Sequence, residues 1–356
     1  MSGSPTSDML TMPTDVLVIG GGPAGLAAAI AARLKGFEVT LADAAHPPID
    51  KACGEGILPV GVEVLRRLGV ALSTEDAFPI RGIRFCSDGT CVEAKFQSGF
   101  GMAIRRTRLH GILAERAGAL GVRLAWGTRI TDSSSLPSCR WIVGADGQNS
   151  RVRSAAGLDA PGHTSRRFGF RQHYRVAPWT DFVEVHWGKR CQIYVTPVSP
   201  DAIGIALLSR DSSLRLSIAL QEFPELQTRL AGAETSSTER GGVTITQRLR
   251  RVVRGNTILI GDASGSLDAI TGEGLSLAFH QALVLAQALR AGNSATYEKE
   301  HCRIFQRPML AATALLALDR FPSLRRGTVG FLSLTPNIFS KLLAIAAGNK
   351  LQAPAA

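Results

Sequence analysis

Aromatic side chains are scarce in this 356-residue chain, at 6%, and lysine occurs only seven times. The 40 basic residues set against 29 acidic ones are therefore mostly arginine, and the formal net charge is +11. A nucleic-acid surface needs basic residues gathered on one element and interleaved with aromatics. Here the arginines are scattered from Arg33 to Arg326, so no nucleic-acid partner is expected. Background arginine usage and attraction for anionic cofactors account for the charge. The six cysteines (Cys53, Cys86, Cys91, Cys139, Cys191 and Cys302) include no CxxC pair and no metal-like spacing with histidine. No metal is expected, and a reduced, cytoplasmic compartment fits. Cys86 and Cys91 could face each other across a hairpin, but two unbridged strand cysteines are the expectation.

A basic segment followed by an apolar one is also missing at the start, where Met1–Thr14 reads as a flexible polar end without a signal peptide. The uncharged run from Val16 to Ala32 is interrupted by Gly20, Gly21, Gly22, Pro23 and Gly25. It therefore reads as strand, turn and helix rather than a membrane span. No internal repeat or low-complexity linker is visible. With 45% hydrophobic residues, 19% charged residues and 37 glycines, the chain suits a globular α/β protein of about two domains.

Asp15–Gly20 is a short apolar run suited to a parallel strand buried on both faces. It enters Gly20-Gly-Gly22-Pro23-Ala24-Gly25 and then an alanine-rich helix. In a GxGxxG turn, Gly20 permits the bend, Gly22 admits a pyrophosphate to the backbone, and Gly25 lets the helix pack on the strand. The helix N-terminus offers unpaired amides to the phosphates. A second strand, Phe37–Ala42, ends at Asp43, 18 residues beyond Gly25, the expected acid for a ribose hydroxyl pair. Strand, glycines, helix, strand and terminal acid together predict a dinucleotide site.

Two later segments repeat a strand that ends in a carboxylate, at Asp146-Gly147 and at Gly261-Asp262. Such strand ends are where open α/β sheets bind ligands. At this point the chain resembles the FAD-dependent oxidoreductases of the para-hydroxybenzoate hydroxylase fold, over roughly residues 15 to 320. That superfamily includes aromatic monooxygenases, geranylgeranyl reductases and flavin-dependent halogenases. The resemblance implies that the glycine turn holds the FAD pyrophosphate and Asp43 the adenosine ribose. It implies that Asp146-Gly147 serves FAD and the nicotinamide donor, and that Asp262 holds the ribityl hydroxyls. Arg106 opens a helix in the family's Arg-x-x-apolar pattern and is a candidate FAD contact. Gly272-Glu273-Gly274 opens another helix, whose amides would stabilise negative charge on the reduced ring.

Lys51-Ala-Cys53-Gly54 resembles the Lys-x-Cys-Gly-Gly stretch of the reductases, which adds Lys51, Cys53 and Gly54 to the candidate cofactor residues. The Trp-x-Trp-x-Ile-Pro motif of halogenases is absent, and halogenation is a minor reading. Tyr194 lies where the reductases carry Tyr-x-Trp-x-Phe-Pro. No catalytic acid or base stands out; Cys53, His173 and Tyr194 are the weak candidates, each with an ordinary structural role as its competitor.

The expected fold is α/β: a Rossmann-like FAD-binding domain (15–78, 99–165 and 245–320), an inserted antiparallel β-sheet substrate domain (79–98 and 166–244) and a C-terminal helical segment (321–356). A hairpin is expected at Ile80–Phe85 and Cys91–Phe96, with four further strands between Phe168 and Leu208. In Phe168–Arg175, period two puts Phe168, Phe170, Gln172 and Tyr174 on one face and Arg171, His173 and Arg175 on the other. Pro322 and Pro336 divide the apolar C-terminus into short helices. Packing on the core is their first role; docking peripherally on a membrane, or shielding a lipophilic substrate, is the second.

The resemblance implies an FAD enzyme with NAD(P)H as electron donor, first a monooxygenase that uses molecular oxygen on a hydrophobic aromatic or polyketide-like molecule of secondary metabolism. The alternative is a C=C reductase of a prenyl or lipid substrate.

Overall fold

The apolar run at the start becomes β1 (Thr14–Ile19), whose residues sit between two parallel neighbours: Val16 is in register with Val39 of β2 (Val39–Asp43) and with Trp141 of β9 (Cys139–Gly144). The computed structural model describes residues 12–130, 138–159 and 165–346. Most of the N-terminus expected to be flexible lies outside the described residues, as do 347–356 of the C-terminal segment.

In chain order, α1 (Pro23–Arg33) follows β1, and β3 (Gly56–Ile57), α2 (Pro59–Arg67) and β4 (Phe78–Ile80) follow β2. Next come β5 (Gly82–Ser87), β6 (Thr90–Lys95), β7 (Gly101–Ala103), α3 (Arg106–Ala119) and β8 (Arg123–Trp126). After β9 stand α4 (Arg151–Ala155), β10 (Ser165–Arg175), β11 (Phe182–Trp187), β12 (Cys191–Ser199) and β13 (Ala202–Ser209). Then follow α5 (Leu216–Ala219), α6 (Pro224–Leu230), β14 (Glu234–Thr235), β15 (Arg240–Thr246), β16 (Val253–Arg254) and β17 (Thr257–Leu259). Four helices close the chain: α7 (Gly274–Arg290), α8 (Ser294–Arg320), α9 (Pro322–Leu334) and α10 (Pro336–Ala346).

The nucleotide-type sheet has the order β16-β17-β9-β1-β2-β8 and is parallel except at β16–β17. Its β1 is buried on both faces, as its unbroken apolar sequence requires. Alanines fill most of α1, which lets that helix lie close to β1 and α7 with nearly every residue buried. A small sheet, β3-β7-β4, bridges to the larger one.

The larger sheet runs β14-β10-β13-β12-β11-β5-β6, with β15 also paired to β10. Its pairs are antiparallel except β11–β5, where Val183 meets Ile83 and Val185 meets Phe85 in parallel register. That junction joins two chain pieces separated by the whole of β7 to β10, so a hairpin cannot connect them. The polar face of β10 is the buried one: Arg167, Arg171 and His173 are nearly inaccessible, whereas Phe170 and Tyr174 pack on a separate apolar cluster.

The cysteine expectation is corrected at the β5–β6 hairpin. Asp88 and Gly89 both have positive φ, 50° and 77°, as a two-residue turn needs. That turn sets Cys86 directly opposite Cys91 with Cα atoms 4.2 Å apart, and the two form a disulfide.

Met309–Leu318 lies within the long helix α8, which runs on to Arg320. Beyond it, α9 and α10 lie across β6, with the Phe85 and Phe339 ring centroids 5.0 Å apart. Arg325 of α9 is buried over the Trp187 ring and donates to Ser87 Oγ at 3.1 Å. Among the described residues no single helix is long and apolar enough to cross a membrane.

Candidate active site

One cavity of about 750 Å³ opens where the two main sheets and α7 meet. Of the candidate cofactor residues, only Gly25 does not line it. The reason is steric: a Cβ on Gly25 would stand 1.8 Å from the Gly20 carbonyl oxygen, so Gly25 is what closes helix onto strand. A Cβ on Gly20 would lie 2.3 Å from Ala145 O, and Gly20 has φ +113°. Gly22 differs, since the nearest atom to its Cβ position is Arg106 Nη2 at 3.9 Å. Its backbone, with Pro23 and Ala24, faces the cavity at the start of α1.

Asp43 reaches back to this turn. Its Oδ2 accepts from Gly21 N at 2.5 Å and its Oδ1 from Ala45 N at 2.7 Å. His110 of α3 was not singled out by sequence reasoning, yet its Nε2 donates to Gly21 O at 2.9 Å. Burial pushes the pKa of this histidine down, which keeps the ring neutral. Arg106 begins α3 over Gly22, and its Nε is buried without a partner. Asp146 Oδ2 accepts from Arg151 N and Val152 N at 2.7 and 3.1 Å, capping α4, while its Oδ1 is buried and unpaired. Gly147 beside it has φ +81° and open space at its Cβ position.

The segment 51–55 forms another wall. Lys51 Nζ lies 3.0 Å from Asp262 Oδ2. The Cys53 thiol accepts from Glu55 N at 3.3 Å, and Gly54 O accepts from Thr196 Oγ1 at 3.0 Å. Glu55 itself was missed. It is 2% exposed, has φ 61°, and its Oε1 accepts from Arg106 N at 2.9 Å. Its Oε2 lies 2.7 Å from His173 Nε2. His173 is therefore part of a buried clasp and does not line the cavity. An arginine can only donate, so the Arg171 Nη1 bond to His173 Nδ1 at 3.1 Å puts the ring proton on Nε2, facing Glu55. Arg171 also meets Asp50 at 2.5 Å. A second clasp holds Arg167 between Asp268 at 3.0 Å and Asp319 at 2.8 Å.

Gly261 has φ +61° and starts a 3-10 turn that presents Asp262 to the cavity. Gly272, with φ +66°, and Gly274 flank the N-terminus of α7 and have nothing near their Cβ positions. Between them Glu273 is 7% exposed, and its carboxyl makes no hydrogen bond or ion pair among the described residues. Burial raises its pKa to about 8, so it carries a proton at neutral pH. Tyr194 lines the cavity, but its hydroxyl donates to Ile270 O at 3.0 Å and burial pushes its pKa far up. It is a fixed wall rather than an acid or base.

The opposite wall is apolar: Ile83 and Phe85 of β5, Val183 and Val185 of β11, and Leu275 and Leu277 of α7. Strands near β5 and at β11 were expected from the sequence. What was not visible is the parallel register that sets these four side chains beside one another.

FAD asks for backbone approach at a glycine turn, hydrogen-bond partners for ribose and ribityl hydroxyls, and exposed helix amides near the ring. The open Gly22, the unpaired Arg106 Nε and Asp146 Oδ1, and the uncapped start of α7 fit those needs.

Comparison with known proteins agrees. Menaquinone reductase of Mycolicibacterium smegmatis is 26% identical over 80% of this chain and 78% of its own. Digeranylgeranylglycerophospholipid reductase 1 of Methanothermobacter thermautotrophicus is 26% identical over 80% of each. A 12-dehydrotetracycline 5-monooxygenase/anhydrotetracycline 6-monooxygenase of Streptomyces rimosus is 26% identical over 81% of this chain, which spans 65% of that protein. The flavin-dependent brominase Bmp2 shares the fold, with a TM-score of 0.78 at 19% identity over 94% of this chain and 93% of its own. The family model described as FAD binding domain matches residues 13–299, and the chain belongs to that family as an FAD-dependent oxidoreductase.

Proposed function

We propose that the protein reduces a carbon–carbon double bond in a long, lipophilic substrate of prenyl type. The observation that carries this reading is Glu273, a buried carboxyl that makes no hydrogen bond or ion pair among the described residues and lines the same cavity as the apolar side chains of β5 and β11. Saturating an alkene consumes a hydride and a proton, and FAD reduced by NAD(P)H supplies the hydride. Glu273, protonated at neutral pH, gives its proton to the second alkene carbon and is recharged from solvent. Aromatic hydroxylation makes the opposite demand, since a phenol is activated by losing a proton.

The other residues bind and orient. Gly22 and the α1 amides meet the pyrophosphate, Asp43 the adenosine ribose, and Arg106, Asp146 and Asp262 the remaining polar groups. Lys51 balances the charge of Asp262. Ile83, Phe85, Val183 and Val185 exclude water and hold an apolar chain. Two of the relatives named above are reductases, of menaquinone and of a digeranylgeranyl phospholipid, which supports the same reading.

The likeness to a tetracycline monooxygenase favours a second reading, oxygen insertion into an aromatic or polyketide-like substrate. Product mass separates the two. Turnover of a prenyl lipid that adds two hydrogens, one of them solvent-derived in D2O, supports the reductase. Addition of one oxygen atom from molecular oxygen replaces it with the monooxygenase.

A further inference from the structure

The last helix, α10, is apolar on two sides. Phe339 and Leu343 turn inward onto the β5–β6 face. Ile338, Leu342 and Ile345, at helical spacing i, i+4, i+7, are 40%, 51% and 62% exposed. In α9, Val329 and Leu332 are buried while Phe331 and Leu334 are 55% and 84% exposed. A helix at a water-facing surface carries polar residues on its outer side. A run of outward apolar side chains instead marks an interaction surface.

The charge around the patch identifies its partner. Asp319 is the last acidic residue of the chain; residues 320–356 contain five basic residues and no acidic one. Arg320, Arg326 and Lys341 of this set are exposed beside the apolar side chains. An apolar stripe on helices that carry cations and no acidic residue complements an anionic lipid surface, where chains take the stripe and headgroup phosphates take the cations. The two helices bend by 110° at their junction, a shape for lying in the interface plane. Their attachment is firm, through the buried Arg325 and the Phe85–Phe339 contact. Ile83, Phe85 and Phe96 pack against this helix-covered cluster and also line the cavity, so patch and cavity flank the same strands.

We propose that α9 and α10 dock the protein flat on an anionic bilayer, which sets the apolar wall of the cavity beside the lipid phase from which a long-chain substrate enters. The entry clause rests on the lipophilic-substrate reading; the docking itself does not.

The test is co-sedimentation of the FAD-loaded full chain with vesicles of phosphatidylcholine alone or mixed with phosphatidylglycerol. Binding to the mixed vesicles, weakened by salt, is expected. Arg326→Gln and Lys341→Gln should each lower the partition coefficient about five-fold, and Leu334→Glu with Leu342→Glu should abolish sedimentation. Flavin absorbance and circular dichroism check that the variants fold, and Leu334→Ser with Leu342→Ser serves if the charged pair does not. Full-chain protein that stays in the supernatant at low salt overturns the proposal. So does sedimentation that ignores both anionic lipid and the cation variants. So does a leucine variant that turns a dimer into a monomer in light scattering while sedimentation is unchanged, since the patch would then be an interface between copies. Product mass from detergent-dispersed substrate reads the redox chemistry separately, so either idea can fail alone.

Discussion

Glu55 Oε2 and His173 Nε2 lie 2.7 Å apart, joining the loop that walls the cavity to the polar face of β10. The same carboxylate accepts from Arg106 N at the start of α3 and stands 3.7 Å from Arg171 Nε. One buried side chain thus ties β10 to two elements that line the cavity, the 51–55 loop and the start of α3.

Replacing Glu55 by Ala strips Arg171 and His173 of a buried partner and is expected to cost about 3 kcal/mol of stability. Glu55→Gln keeps an acceptor for Arg106 N. It cannot, however, accept as a carboxylate from His173, whose other nitrogen is committed to Arg171, so about 1–2 kcal/mol is expected. Denaturant unfolding checks the order Ala worse than Gln. FAD affinity should follow the same order, because Arg106 loses its anchor, and equal loss in both variants would refute the geometric account.

Glu273 gives the pH dependence. Its pKa is raised to about 8 in the folded protein from 4.5, so the unfolded chain releases this proton first as pH rises. Between about pH 4.5 and 8 the folded state therefore binds more protons, and the contribution of this group to stability falls with rising pH, levelling above 8. Glu273→Gln should remove that slope and raise stability at pH 8 by on the order of a few kcal/mol. In the reductase reading, wild-type turnover declines as pH passes 8, and the glutamine variant is slow at every pH. Thermal melts across the pH range and a pH–rate profile measure the two effects separately.

The local parts of this site were legible and the distant ones were not. Strand, glycine turn, helix and Asp43 lie within one short stretch, and each glycine's steric duty follows from its offset. Phe182–Trp187, one of the four strands expected between Phe168 and Leu208, is a strand. Glu55 pairs with His173 118 residues away, and Arg167 with Asp268 101 residues away. Nothing in the neighbourhood of either acid announces the partner. Period two did separate Arg171 and His173 from Phe170 and Tyr174, but polarity suggested nothing about which face is buried. Here the charged face is inside because Asp50, Glu55, Asp268 and Asp319 await it. The short strands β3, β4 and β7 carry too few residues to show a period.

The Cys86–Cys91 bridge spans five residues of sequence. Such a short loop loses little chain entropy when closed, so the bridge contributes about 2 kcal/mol at most. Thiol titration of the denatured, unreduced protein should find four reactive cysteines. Cys86→Ser with Cys91→Ser should lower stability modestly and leave the FAD spectrum unchanged, as the hairpin retains its Asp88-Gly89 turn. Six reactive thiols would show that the bridge does not form.

Two glycines of the same turn should fail in different ways. In Gly25→Ala the new methyl meets Gly20 O at 1.8 Å, and that atom belongs to the backbone between β1 and α1, so the neighbour cannot swing aside. Helix and sheet must separate, and the variant is expected to be insoluble or to unfold at markedly lower denaturant. In Gly22→Ala the methyl has only Arg106 Nη2 nearby, at 3.9 Å, so folding and melting temperature should stay near wild type. Its methyl would instead occupy the surface where the pyrophosphate approaches, and FAD should bind at least ten-fold more weakly, as read by fluorescence titration of apoprotein. Wild-type FAD affinity in Gly22→Ala would refute the pyrophosphate assignment for this turn while leaving the Gly25 packing argument intact.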